Sequence, residues 1–593
     1  MKVSLVGAEL EENLGLRYMA SSLESSGHQV EIVPFNAEQD IPRVVEQVIA
    51  FAPQLTGFSM VFTGRAREFC LLARALRDGG YPGHLIAGGH FASLNCEHLL
   101  RDFPQFDSVG LGEGEELICA LADHLEEISR IPGLCYRKLD GSLTTNPSTG
   151  NPENLDALPF PRRTTFHDYF GQPIASILSS RGCWRDCAFC SINAWYQQGG
   201  GRKFRIRSVE NIVAEMKELY FRHGIRIFNF QDDNFFLPDS KNAVRRFETL
   251  RARLHEEGVE GIAIAVKARP DSITYDSIRV LDDLGLFRVF LGVENASEHG
   301  LRNLNRKCEL DHILNALRIL NDFDVHIAYN LLMFEPDTVL DDILINLRFL
   351  ERHIENPCNF CRAEAYAGTG LEAKLRQEGR LLGDYFGFDY RLKDPRSEAF
   401  HQIANYAFFD RNFSDFGLHY FNMQVDFYFQ LLRRFYPQFL TQTLRAAVRN
   451  FIKQTNLDTY SHLCRIYDFV AAGDPQDYVQ IRGFARKMRA QVDEKSRELH
   501  DDGERILDWL NDTYEHQGQP GPEGKTLLPS TAGFPFLACK PVPYRGLQSL
   551  KELEFVSTGP EGAGGDDLLS PAPVPIPYDQ FKSRLTSQKS ERR

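Results

Sequence analysis

No uninterrupted apolar stretch in the 593 residues approaches the ~18–20 that a membrane-spanning helix needs. Cationic charge is in the minority: 67 Lys and Arg against 81 Asp and Glu leave a formal net charge of −14 and a pI near 5.7. Phosphate binding wants a basic face, so this balance disfavours nucleic acid as the main partner and disfavours a membrane-surface role as well. Cysteine is sparse, 12 in all, too few for a secreted disulfide framework. The opening MKVSLVGAELEENLG turns acidic after one short apolar run, which argues against a cleaved signal peptide. With 43% hydrophobic and 25% charged residues the composition is that of a folded chain, with room for about three or four domains. A cytoplasmic enzyme is the expectation.

The fold class expected is α/β. KVSLV from Lys2, QVEIV from Gln29, LTGFSM from Leu55, HLIAGG from His84 and DSVGLG from Asp107 each read as a strand. Each is short and nearly continuous in apolar character, as a strand buried on both faces should be. Segments of helical spacing separate them, which predicts a doubly wound parallel sheet over residues 1–135. Such sheets bind ligands beyond the carboxyl ends of their strands. Those ends carry Gly7, Ser59, Gly88, Gly89, His90 and the run Gly112, Glu113, Gly114, Glu115. A stretch rich in Pro, Gly, Ser, Thr and Asn marks a linker at 136–165.

A second alternating series occupies residues 166–395. Its strands are IASILSS from Ile174, RIFNFQ from Arg226, IAIAVK from Ile262, FRVFLGVE from Phe287, IAYNLLMF from Ile327 and a weaker NFCRAEAY from Asn359. Six strand–helix units fit a partial parallel (β/α)6 barrel; periodicity alone leaves a second open sheet as the alternative. Residues 396–515 read as helical and aromatic-rich, with rings from Phe408 to Phe439 that suit a bundle core or a cover over the barrel mouth. From 516 to 593 the chain is rich in Gly, Pro and Ser, and a largely disordered tail is expected, with a docked patch around PFLACKPVPY.

Most cysteines are scattered and read as small buried hydrophobes. Cys183, Cys187 and Cys190 stand apart, spaced C-x3-C-x2-C in the loop after the first strand of the second series. Three thiolates crowded into so short a loop would bind a soft metal centre. Structural zinc prefers four ligands in paired knuckles, and no second knuckle lies nearby. Three ligands leave one position open, which suits a 4Fe-4S cluster whose unique iron binds something else. The alternative is a zinc-stabilised loop completed by a distant histidine. The pair Cys358 and Cys361 cannot hold a cluster and reads as core.

The trio, with Phe189 immediately before its last cysteine, resembles the motif of the radical S-adenosylmethionine (radical SAM) enzymes, and the resemblance runs over about residues 155–395. It implies a 4Fe-4S cluster and S-adenosyl-L-methionine as cofactors. It also implies that the polar end of the second strand, Gln231, Asp232, Asp233 and Asn234, meets the amino group of S-adenosylmethionine. Lys267 and Arg269, at the third strand end, would lie near its ribose or carboxylate, and Glu294 and Asn295, at the fourth, would face the cofactor.

The first ~125 residues resemble the Rossmann-like cobalamin-binding domain of a large radical SAM subfamily, through LGLRYMASSLESSGHQV, IAGGHFAS and VGLGEGEE. Gly7, Ser59, Gly88, Gly89, His90, Gly112, Glu113 and Gly114 would approach the cobalamin. The D-x-H-x-x-G motif of many cobalamin domains is absent: counting back from Gly15, Glu12 stands at the histidine position and Leu10 at the aspartate position.

The resemblance implies a methyltransferase acting on an unactivated carbon of a small molecule. Cleavage of S-adenosylmethionine would yield a 5′-deoxyadenosyl radical that abstracts hydrogen, and methylcobalamin would supply the methyl group. An electron donor such as flavodoxin or ferredoxin is then expected. The alternative with the same cofactors is an oxidative cyclisation or rearrangement. A methylthiotransferase needs a second cysteine trio, which the wide spacing of Cys70, Cys96 and Cys119 does not supply. A zinc-stabilised binding module is the non-catalytic alternative.

Overall fold

The computed structural model describes residues 1–10, 12–414 and 417–515; the expected disordered tail, with its PFLACKPVPY patch, lies outside the described residues. Five parallel strands open the chain: β1 (Lys2–Gly7), β2 (Gln29–Pro34), β3 (Leu55–Ser59), β4 (His84–Gly88) and β5 (Ser108–Gly110). Their order is β2–β1–β3–β4–β5, so the winding reverses between β1 and β3. Helices cover both faces, with Val6, Val33, Phe58 and Leu85 in one core and Val3, Leu5, Leu55 and Ile86 in the other. That double burial is why these runs are apolar without alternation. Two antiparallel strands extend the edge, β6 (Leu134–Arg137) and β7 (Leu143–Thr145). Four and three residues are too few for a period to show, and the sequence reading passed over both.

The second sheet begins with β8 (His167–Tyr169), antiparallel to β9 (Gln172–Ile177). A small hairpin-like ladder follows, β10 (Ser180–Gly182) against β11 (Phe204–Ile206). Then come β12 (Ile227–Phe230), β13 (Ala263–Ala268), β14 (Leu286–Leu291), β15 (His326–Phe334) and β16 (Cys358–Arg362). The strands β9, β12, β13, β14, β15 and β16 are neighbours in chain order and all parallel. An order that never reverses keeps the right-handed crossovers on one face. This is the partial (β/α)6 barrel, and it excludes a second doubly wound sheet.

Side chains alternate accordingly. Phe228, Phe230, Ile264, Val266, Val289 and Ile327 pack outward on the helices. Ile174, Ile227, Ala263, Ala265 and Phe287 face inward and meet the helix Leu418–Phe435. These inward residues lie near the amino ends of their strands, so that helix plugs the barrel from below and leaves the carboxyl ends open. Every residue from Leu418 to Leu432 is buried, which only a helix surrounded on all sides can be. Phe427 packs into the barrel floor, its ring 5.1 Å from Tyr169 and 5.4 Å from Phe287, so this part of the aromatic run fills the core at the end opposite the mouth. The helices Pro395–Phe413, Gln442–Ala472 and Tyr478–Glu515 complete a bundle around it. Among the described residues no helix is long and apolar enough to cross a membrane.

Candidate active site

The carboxyl ends of β9 and β12 and the mouth of the amino-terminal sheet share one cleft, of about 1210 Å³ including the part open to solvent. Ser59, Gly88, Gly89, His90 and Gly114 line it from the first sheet; Leu178, Ser180, Tyr196, Gln231 and Asp233 line it from the barrel. It continues downward as an apolar slot past Leu5, Phe58, Ile86, Leu117 and Ile118. An added Cβ on Gly88 would meet nothing within 4 Å, so the backbone there borders open space. A corrin on the strand ends, with its nucleotide tail in the slot, fits this shape and apolar lining.

The cysteine loop follows β10. Gly182 has φ +82°, and a Cβ there would strike the carbonyl of Lys203, so only glycine lets β10 close on β11 before Cys183. The loop is pinned from outside: Ala188 N–H donates to Leu304 O at 2.9 Å, and Leu371 N–H donates to Ala188 O at 2.8 Å. Phe189 is half-buried against the patch of Leu304, Leu332 and Leu371. Cys190 caps the helix Ser191–Gly199. Burial pushes the Cys183 and Cys190 thiols above their ordinary range. Cys187 Sγ receives two cationic donors, Arg306 Nη1 at 3.2 Å and Arg269 Nη1 at 3.5 Å. Thiols held out of water with guanidinium groups beside them suit a metal–sulfur centre carrying negative charge.

The expected S-adenosylmethionine residues divide by where their side chains point. Asp233 lines the cleft and accepts the Gly182 N–H at 3.0 Å. Burial raises its carboxyl and nearby Lys267 offsets part of that. Gln231 lines the cleft too, and its carbonyl accepts Lys267 Nζ at 3.2 Å. Asn234 is 1% exposed, with neither amide atom hydrogen-bonded. Arg269 is held by Asp271, with Nε 2.9 Å from Oδ1. Glu294 has φ +65°, and its Oε1 lies 4.0 Å from Arg306 Nη1.

Two of these expectations are corrected. Asp232 is fully buried and spent on the turn after β9: its Oδ1 accepts Ser179 Oγ at 2.6 Å and the Ser179 N–H at 3.1 Å. Asn295 is fully buried in the scaffold, donating to Leu332 O at 2.9 Å and accepting from Ser297 N–H and Asn346 Nδ2. Asp232 neighbours Asp233, which lines the cleft, and Asn295 neighbours Glu294, which approaches Arg306; adjacent residues at a strand end diverge. The pair Cys358 and Cys361 separates for the same reason, Cys358 packing on the outer core and Cys361 beside Leu332.

One cobalamin expectation also changes. Gly7 lies outside the cleft lining, and a Cβ there would press on Leu16 and Ser59, so it serves packing of the first helix. Glu113 lines the cleft, and its carboxylate, 2% exposed, is paired with arginines of the barrel: Oε2 accepts Arg181 Nη1 at 2.9 Å, and Oε1 pairs with Arg205. Arg181 also meets Glu115 at 2.7 Å. His90 remains at the cleft, its ring 4.4 Å from Trp195; burial lowers its pKa to about 4. Glu12 pairs with Arg163 at 2.8 Å and accepts the Ser176 N–H of β9 at 2.6 Å, bolting the first sheet to the barrel.

Sequence reasoning missed Arg306, Arg181, Arg205, Trp195, Tyr196 and Asn151. Asn151 sits in the stretch expected to be a linker, yet it is 6% exposed, with Nδ2 donating to Gly200 O at 2.9 Å and Oδ1 accepting the Glu113 N–H at 3.2 Å. Arg181, two residues before Cys183, and Trp195 and Tyr196, on the helix that follows Cys190, lie next to the motif in sequence; the rest meet the site through long-range packing.

The Radical SAM superfamily model matches residues 177–347, and the B12 binding domain model matches residues 5–122. An uncharacterized methyltransferase of Pyrococcus horikoshii is 25% identical over 369 residues, 60% of this chain and 77% of that one. The anaerobic magnesium-protoporphyrin IX monomethyl ester cyclase of Synechocystis is 26% identical, over 53% of this chain and 62% of its own. The hopanoid C-3 methylase of Methylococcus capsulatus is 28% identical, over 55% and 61%. The chain thus spans about three fifths of the last two. Among solved structures, the cobalamin-dependent radical enzyme OxsB superposes with a TM-score of 0.62 at 16% identity, covering 87% of this chain and 81% of that one. The methyltransferase TsrM of Kitasatospora setae follows at 0.54 and 17%, covering 64% and 75%. At such identities these two speak to the fold. The chain thus carries a Radical SAM superfamily domain over residues 177–347 and a B12 binding domain over residues 5–122, which imply a 4Fe-4S cluster, S-adenosylmethionine and cobalamin as cofactors.

Proposed function

We propose that the protein is a cobalamin-dependent radical SAM methyltransferase acting on an unactivated carbon of a small molecule. The observation that carries this reading is the shared cleft: the mouth of the cobalamin sheet and the polar end of β12 open into the same space, where Asp233 accepts the N–H of Gly182, the residue before Cys183. When bound, the three cofactors supply a reducing electron, a cleavable sulfonium and a cobalt-carried methyl group. Cys183, Cys187 and Cys190 hold the cluster. Asp233, with Asn234 beside it, takes the ammonium group of S-adenosylmethionine, since carboxylate and amide oxygens accept its protons. Lys267, Arg269 and Arg306 are the cations nearest to receive its carboxylate, and Glu294 the group that meets its ribose. Ser59, Gly88, Gly89, His90, Gly112, Glu113 and Gly114 border the cobalamin. The chain divides near residues 135, 165 and 395 in this reading.

Methyltransferase names among the relatives support methyl transfer. The cyclase relatives favour the second reading, an oxidative cyclisation without methyl transfer. Product mass separates the two, because methylation adds one CH2 and cyclisation removes hydrogen. Turnover should release both S-adenosylhomocysteine and 5′-deoxyadenosine; 5′-deoxyadenosine alone, with an unmethylated product, contradicts the proposal. A flavodoxin or ferredoxin as electron donor, no nucleic-acid partner and a cytoplasmic setting follow from the chemistry and the net negative charge.

A further inference from the structure

Cys190 begins the helix Ser191–Gly199, and the far end of that helix touches the cobalamin sheet. Nine residues at ~1.5 Å rise make a rod of roughly 13 Å. At its far end Gly199 lies so close to Gly112 that a Cβ on Gly112 (φ +75°) would come 2.6 Å from the Gly199 Cα and 2.9 Å from Asn151 Oδ1. Asn151 closes the joint, donating to Tyr196 O at 3.2 Å and Gly200 O at 2.9 Å while accepting the Glu113 N–H at 3.2 Å. Arg205 locks the same loop from the other side. It is opposite Arg181 in the β10–β11 ladder, its guanidinium pairs with Glu113, and Glu113 bridges back to Arg181 at 2.9 Å, two residues before Cys183. The Arg205 and Glu113 side chains are each 2% exposed. Neither Asn151 nor Arg205 lines the cleft.

Resting on the proposed function, we infer that Asn151 and Arg205 are positioning residues that set the separation between the cluster and the cobalt. Both grip the Gly112–Glu113–Gly114 loop, one through the rod that starts at a cluster ligand and the other through the ladder that precedes the first. Such a joint acts on transfer across the cleft and not on cleavage of S-adenosylmethionine at the cluster. In the transfer, the S–CH3 bond of S-adenosylmethionine breaks, a Co–CH3 bond forms with both electrons from reduced Co(I), and S-adenosylhomocysteine leaves.

The test uses holoenzyme carrying cluster and cobalamin, with titanium(III) citrate as reductant and no substrate, in wild type, Asn151→Ala, Arg205→Gln and Arg205→Lys. Three quantities are read: 5′-deoxyadenosine formed, methylation of reduced cobalamin followed by its absorbance, and the spin–spin coupling between reduced cluster and cob(II)alamin by EPR. Asn151→Ala and Arg205→Gln should keep cofactor content and 5′-deoxyadenosine within about twofold, slow cobalamin methylation at least tenfold and alter the coupling; Arg205→Lys should recover part of it. Unchanged methylation and coupling overturn the inference, as does an equal fall in both reactions with coupling unmoved. A variant too unstable to load is replaced in the comparison by Arg205→Lys, whose coupling must then lie off the wild-type value. Wild type that binds no cobalamin, or never methylates it, refutes the proposed function itself.

Discussion

Glu12 Oε2 accepts the backbone N–H of Ser176 at 2.6 Å, at the position where many cobalamin domains carry a cobalt-ligating histidine. Its other oxygen pairs with Arg163, which also meets Glu215 at 2.8 Å, and all three side chains are below 10% exposed. The residue that would reach the metal elsewhere is here a bolt between two sheets. Cob(II)alamin bound to the protein should therefore show no coupling to a protein imidazole: its EPR spectrum should be identical with 14N- and 15N-histidine-labelled protein. A difference between the two labels would mean that some histidine ligates cobalt.

Removing that bolt leaves Arg163 with half its compensation inside the structure. Breaking a buried pair costs about 3–5 kcal/mol, and the remaining Glu215 places Glu12→Ala near the lower end. Urea unfolding should show a loss of about 3 kcal/mol, with iron content unchanged.

Adjacent aspartates should fail in different ways. Asp232→Asn loses charged acceptance of Ser179 and Ser180 and should cost about 1.5–3 kcal/mol of stability. Asp233→Asn should leave unfolding nearly unchanged and raise the concentration of S-adenosylmethionine needed for half-maximal cleavage about tenfold or more. Equal effects of the two on stability and on binding would contradict the division drawn between them.

His90 sets a pH response in the cobalamin-free protein. Burial lowers its folded pKa to about 4, below the ~6.5 of an exposed imidazole. Between these values the unfolded chain binds the extra proton and the folded chain does not, so stability falls as pH drops from 6.5 and levels off near 4. In His90→Gln the slope of unfolding free energy against pH over that window should be shallower by up to one proton's worth.

The sequence carried the architecture well because its evidence is local. Eleven short strands stand out as apolar runs with turn residues at their ends, and the cysteine spacing is a local pattern too. Local patterns could not tell Asp233, which lines the cleft, from Asp232, or Glu294, which approaches Arg306, from Asn295, because which way each of two neighbours turns depends on where a strand ends, and that is a tertiary matter. Glu113 lines the cleft, but its pairing was not legible, because Arg181 and Arg205, which take its carboxylate, stand 68 and 92 residues away in sequence. Asn151 was hidden inside a stretch whose Pro, Gly and Ser content reads as a linker, although its backbone and amide close the joint between the two sheets.

The decisive measurement is cleavage of S-adenosylmethionine by anaerobically reconstituted, reduced protein, made beside the three single serine variants at Cys183, Cys187 and Cys190. Wild type should bind iron and sulfide and release 5′-deoxyadenosine and methionine, while each variant loses the brown iron–sulfur absorbance and all cleavage. Zinc in place of iron in the wild type, or cleavage that survives the loss of any one of these cysteines, would contradict a three-thiolate cluster with a vacant iron.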